Sequence, residues 1–145
     1  MDSSYKNKNG GYQQLRVWED AIAYYLSNAR VFRPFPYKLK RVASQAIAAA
    51  DSVHRNSAEG YCRRSLKEYI HFLYTGLSSL GESVSGLIAC RKAEQLLEAD
   101  FQNMNAFAFK LENGLLKLVA SLEQKKADGD WIDSLIIKES NLAYG

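Results

Sequence analysis

The sequence predicts an all-α protein, an antiparallel up-down-up-down four-helix bundle. Three observations predict it. Four segments space their apolar residues at alternating steps of three and four, the period of one helix face. No segment alternates apolar and polar residues as a half-buried strand does. The two prolines, Pro34 and Pro36, sit together and leave the rest of the chain free of the strongest helix breaker.

Residues 1–12 are polar and glycine-rich, without an apolar period, and are expected to form a disordered arm. The bundle is expected to span 13–126. Its first helix begins near Leu15, with Leu15, Trp18, Ile22, Tyr25, Ala29 and Phe32 as its seam. It should stop at Arg33, because Pro34 pushes the residue before it out of the helical region. Pro34-Phe35-Pro36 is the turn. The second helix is expected from Tyr37 to Glu59, with Leu39, Val42, Ala46, Ala49 and Val53 on one seam. Its many alanines admit close neighbours, so it should be the most enclosed helix.

Residues 56–82 hold a helix end, a corner and a helix start. Gly60 is expected to close the second helix in a left-handed conformation. Tyr61, Cys62, Arg63 and Arg64 make a short connection of the kind that joins antiparallel helices. Ser65 and Glu68 form the S-x-x-E capping box: the hydroxyl accepts from a free N–H, and the carboxylate reaches back to the Ser65 N–H. The third helix runs from Leu66 to Ala93, with Leu66, Ile70, Leu73, Leu77, Leu80, Val84 and Leu87 in register. Gly76, Gly81 and Gly86 inside it each cost about 1 kcal/mol against Ala, which points to close packing. Tyr69, Phe72 and Gly76 add a second stripe. Two stripes exceed what one thin bundle hides, so oligomerisation is expected.

After a connection at 93–97, the fourth helix spans Glu98 to Lys126. Leu97, Phe101, Met104, Ala108, Leu111, Leu115, Leu118 and Leu122 form its seam, and Phe107 and Phe109 fall off it. Acids open the helix and Lys125 and Lys126 close it, as its dipole favours. Asp128-Gly129-Asp130 ends it. Residues 127–145 carry Trp131, Ile132, Leu135, Ile136 and Ile137 and are expected to dock on the bundle or on a neighbouring subunit.

At 145 residues the chain is one domain with enough length for a real core. Residues 1–65 carry a net charge of +6 and residues 66–145 a net charge of −3. A basic first half permits an anionic partner. Cys62 and Cys90 match no C-x-x-C or zinc spacing, and without a signal peptide they are expected to be free thiols in the cytoplasm. No apolar run is long enough to span a bilayer, and no membrane partner is expected.

Several pieces in order resemble the 23S rRNA intervening-sequence protein family. Leu15-Arg16-Val17-Trp18 is similar to its L-x-V-W. Gln45, Ser52 and Asn56-Ser57-Ala58-Glu59-Gly60 are similar to its Q…S…N-I-A-E-G. Arg64-Ser65 through Phe72-Leu73 is similar to R-S-x-x-E-[FY]-x-x-F-L, and Ser79-Leu80-Gly81-Glu82 to S-L-x-E. The resemblance implies a cytoplasmic four-helix bundle that assembles as a ring, commonly a pentamer, with no established enzymatic activity. Relatives include the accessory protein of diversity-generating retroelements, a basic pentamer that binds nucleic acid and a reverse transcriptase. Where the family often has two arginines after the glutamine, this chain has Ile47 and Ala48.

Lys38, Lys40, Arg41, Arg55, Arg63 and Arg64 form the candidate nucleic-acid-binding set, read either as a phosphate-binding face or as a solvated helix face. Tyr37 and Tyr61 are placed to stack on bases or to pack in the bundle. Glu59, Gly60, Ser65 and Glu68 form a structural corner, with Glu59 pairing with Arg63 or Arg64. Glu68-x-x-His71 is half of a di-iron pattern, but no second E-x-x-H exists, so no metal and no cofactor is expected. Neither His54 nor His71 stands in a readable nucleophile set, and no catalytic residue is assigned. The expected function is a non-enzymatic, ring-forming bundle that binds RNA or DNA through a basic face or adapts a nucleic-acid enzyme. The alternatives are a protein-interaction scaffold and, more remotely, a metal-dependent bundle enzyme.

Overall fold

A computed structural model describes residues 10–129. Four helices follow in order: α1 (Arg16–Phe32), α2 (Lys40–Cys62), α3 (Leu66–Lys92) and α4 (Glu98–Asp128). A short 3-10 helix precedes α1 at Gly11–Gln14, and another precedes α2 at Tyr37–Leu39. Each long helix packs on two neighbours, α1 on α2 and α4, and α3 on α2 and α4. With short connections throughout, this is the antiparallel up-down-up-down bundle. At 1.5 Å per residue α3 and α4 reach about 40 and 46 Å.

The seams of α3 and α4 lie where their spacing places them. Leu66, Ile70, Leu73, Leu80 and Leu87 are buried, as are Phe101, Met104, Ala108, Leu111, Leu115 and Leu122. In α1 the buried centre is one residue off the expected seam. Val17, Ala21, Tyr24 and Asn28 are buried, while Trp18, Ile22, Tyr25 and Ala29 flank them half-exposed. Asn28 and Tyr24 are weak apolar signals, so the aliphatic flank stands out in the sequence instead.

Three expectations are corrected. The first is Gly60. It does not stop α2, which runs two residues further, and its φ is not positive. Its missing Cβ serves a close approach: a Cβ there would lie 2.9 Å from Phe72 Cβ and 3.1 Å from the Tyr69 carbonyl oxygen. The second is the extra stripe of α3. Tyr69 and Gly76 are buried and Phe72 half-buried, packed on α2 at this approach, so the stripe is not a free surface. The third is the enclosure of α2. Its alanines lie around the helix rather than along one seam, and Arg41, Gln45, Ala48, Arg55 and Glu59 remain exposed.

The start of α2 is also later than the apolar period implies, since Tyr37–Leu39 winds as 3-10 helix. Among the glycines of α3, Gly81 and Gly86 face open space and only Gly76 meets a neighbour, Asn56 Cβ at 3.6 Å. At the end of α3, Glu94 takes a φ of 58°, in the left-handed position usually held by glycine. Gly129 takes a φ of 73° and ends α4 as expected of the Asp-Gly-Asp run. At the N-terminus, Tyr12 packs 5.6 Å from Trp18 and 6.4 Å from Tyr61, centroid to centroid. Most of the expected arm, and the apolar tail from residue 130 onward, lie outside the described residues. No described helix is long and apolar enough to cross a membrane.

Candidate nucleic-acid interface

The connection from α1 to α2 is built to be rigid. Phe35 packs on the buried Phe32 with ring centroids 4.8 Å apart. The Phe35 N–H donates to the Phe32 carbonyl at 3.1 Å, and the Leu39 N–H to the Pro36 carbonyl at 2.9 Å. Pro36 fixes an extended entry into the 3-10 turn. On this anchored turn Tyr37 is 84% exposed. Lys40 places its Nζ 5.4 Å from the Tyr37 ring centroid, a cation–π contact.

Lys38, Lys40 and Arg41, the cations next to Tyr37 in the chain, are exposed and take part in no ion pair among the described residues. Arg30 and Arg33, also exposed, end α1 at the same connection. Sequence reasoning passed over both, because they precede Pro34 and belong to the preceding helix by order. The α3–α4 connection at this end of the bundle contributes Glu94, Glu98 and Asp100, with Glu98 drawn to Arg91 at 3.6 Å. Arg91 also stacks 3.9 Å over the Phe101 ring.

The structure divides the six expected cations. Lys38, Lys40 and Arg41 lie together. Arg63 and Arg64 lie at the other end of α2, about 35 Å away along the helix. Arg55, between them, is held by the Asp51 carboxylate. Burial alone would raise the Asp51 carboxyl, but hydrogen bonds from Arg55 and from His54 Nε2 at 2.7 Å outweigh it and hold the group below its ordinary range. His54 is wedged between Trp18 and Tyr25, with centroids 6.4 and 5.7 Å away. That trio fastens α2 to α1.

Arg63 is a clamp. It bonds Glu59 at 2.7 Å, approaches Glu68 at 3.7 Å, and lies 4.9 Å over the Phe72 ring. Ser65 accepts the Glu68 N–H at 3.2 Å and caps α3. Glu59, Ser65 and Glu68 meet at this corner with Gly60 inside it as the close approach, and the Glu68 carboxylate is directed at Arg63. Tyr61 is 1% exposed and edge-on to Tyr69 at 6.1 Å, so it packs in the core and offers no face to a base. Arg64 is exposed.

Gln45, Ser52, Ser79 and Glu82 line one groove between α2 and α3, about 860 Å³ in volume, with alanines and Gly86 along its walls. Ile47, half-buried, packs toward the core, and Ala48 lines this groove. Cys90, also at the groove, is buried, which pushes its thiol up and leaves it a poor nucleophile at neutral pH. Cys62 and Cys90 are both free. Among the described residues no group of three or more His, Cys, Asp or Glu side chains is placed to hold a metal ion.

A family model described as 23S rRNA-intervening sequence protein matches residues 13–117. The match runs from the first 3-10 turn through α1, α2 and α3 and past the middle of α4. No curated protein matches the chain.

Proposed function

The chain belongs to the 23S rRNA-intervening sequence protein family, and from that premise we propose that it is a non-enzymatic, ring-forming bundle that binds single-stranded RNA at its α1–α2 turn. One observation carries the RNA reading. Tyr37 is 84% exposed on the anchored turn, carries the Lys40 ammonium 5.4 Å from its ring, and has the exposed Lys38 and Arg41 beside it in the chain. An exposed aromatic ring offers a stacking surface, and every base has a face to stack on it. The surrounding cations match the phosphates on either side of a stacked base. Arg30 and Arg33 are exposed at the same connection.

Ring formation is supported by α4 rather than by the stripe of α3. Phe109 and Leu116, 65% and 48% exposed, stand two turns apart on its outer face. A ring repeats the basic turn once per subunit, so weak contacts add by avidity. Binding is then salt-dependent and poorly sequence-specific, because released counterions supply most of the free energy.

The test is an anisotropy titration of labelled oligouridylate at two salt concentrations. Charge reversal of Lys38, Lys40 and Arg41 should abolish binding and leave helicity intact. Charge reversal of Lys125 and Lys126 should leave binding in place. Equal losses in the two variants would refute the turn as the site. The α2–α3 groove favours a second reading, a scaffold for a partner protein. A ring that binds no RNA at low salt would leave that reading standing.

A further inference from the structure

The cleft between α1 and α4 is lined by no residue of the basic turn. It encloses about 490 Å³. Arg16 on α1 and Lys110 and Lys117 on α4 line it, together with Asp20, Asn113 and Ser121. Its floor is Leu15, Val17, Gly114 and Leu118. Leu15 and Val17 are buried, 2% and 6% exposed, so the floor is fixed by the core. Gly114 lets α1 approach: a Cβ there would lie 3.3 Å from Val17 Cγ1.

The charge pattern on α4 is sorted. Lys110 and Lys117, two turns apart, both line the cleft, whereas Glu112 and Glu123 do not. Three cations face one carboxylate, Asp20, whose Oδ1 lies 3.4 Å from Lys110 Nζ. The cleft is therefore net positive although the second half of the chain is net acidic. Its volume lies in the range of small-ligand sites, and its make-up is theirs: an apolar base with a few converging polar groups.

The geometry points to a nucleoside phosphate as the ligand of this cleft. The phosphates would sit on Arg16, Lys110 and Lys117. The ribose hydroxyls would donate to Asp20, the role a carboxylate plays in dinucleotide sites. The base would lie on the Leu15, Val17 and Leu118 floor, with Asn113 and Ser121 at its edge. Inorganic phosphate alone would use only the cations. The same chemistry is offered by a free nucleotide and by one residue of a polynucleotide strand.

Isothermal titration of the full chain with ADP, inorganic phosphate and oligouridylate tests this. ADP should bind, and phosphate should bind more weakly and compete with it. Lys110→Gln with Lys117→Gln should weaken ADP by about tenfold or more, since each lost cation removes a charge-assisted contact. Lys110→Arg with Lys117→Arg should keep it. All four changes are at exposed side chains, so circular dichroism should be unaltered. Charge reversal at Lys38, Lys40 and Arg41 should not alter ADP binding, which separates this cleft from the turn. Oligouridylate binding that is lost in the glutamine pair, without ADP binding, would assign the cleft to a strand rather than a free nucleotide. ADP and oligouridylate both indifferent to the glutamine pair would overturn the proposal.

Discussion

The hydroxyl of Tyr24 lies 2.7 Å from the hydroxyl of Ser83, and the two residues belong to helices whose Cα atoms nowhere come within 8 Å of each other. Tyr24 is on α1 and Ser83 on α3, diagonally opposed in the bundle, and both are buried. The Tyr24 carbonyl also accepts from Ser27 Oγ at 2.7 Å and from Asn28 Nδ2 at 2.9 Å. A polar link across an apolar core fixes which layers of α1 and α3 lie level. Burial pushes the Tyr24 hydroxyl above its ordinary range, and hydrogen bonding to Ser83 and Asn28 offsets part of that.

Tyr24→Phe should destabilise by about 1–3 kcal/mol, because it strips Ser83 of its partner in a dry site. Ser83→Ala should cost a similar amount. The double variant should cost less than the sum, and urea melts of the four proteins measure that coupling. Additive losses would show that the bond does not fix the layers.

Glycine substitutions should separate packing from propensity. Gly60→Ala drives a methyl to within 2.9 Å of Phe72 Cβ and should cost about 1–3 kcal/mol despite better helix propensity. Gly81→Ala meets nothing within 4 Å and should stabilise by up to about 1 kcal/mol. Thermal melts check both. A tolerated Gly60→Ala would mean that α2 and α3 are not in close approach there.

Those two glycines show what the sequence reveals and what it hides. Long aliphatic seams name their own helices, since Leu66 to Leu87 and Phe101 to Leu122 allow no other period. A glycine near a corner reads equally as a stop or as a contact, and only the position of Phe72 and Tyr69 decides. The buried centre of α1 was hidden because Tyr24 and Asn28 pair polar atoms inside. At the candidate site, the cations near Tyr37 are contiguous in sequence and legible. The α1–α4 cleft pairs residues about ninety positions apart, a juxtaposition that no local pattern encodes.

Acid should release the hold of Asp51. Its carboxyl sits below its ordinary value, so it contributes stability above about pH 4, where the unfolded group is already ionised. That contribution is lost as pH falls through the lowered folded value. Asp51→Asn should lower the melting temperature at pH 7 by no more than about 4 °C, as befits a half-exposed pair. Between pH 6 and pH 3 the variant should lose less stability than the parent. Parallel pH profiles would remove Asp51 from the acid response.

Assembly should depend on the outer face of α4. Sedimentation of the parent should show a closed oligomer. Phe109→Glu with Leu116→Glu should yield helical monomers, since both side chains are exposed in the single chain, at 65% and 48%. A monomeric parent, or an unchanged oligomer in the variant, would contradict this placement of the interface.

Tyr37 is proposed to stack on an RNA base. An anisotropy titration of oligouridylate against the parent, Tyr37→Trp and Tyr37→Ala measures it directly. The tryptophan variant should bind at least as tightly as the parent. The alanine variant should weaken binding by about 1–3 kcal/mol per stacked base, roughly fivefold to 150-fold, with its fold and assembly unchanged. Equal affinity for all three proteins would contradict the claim.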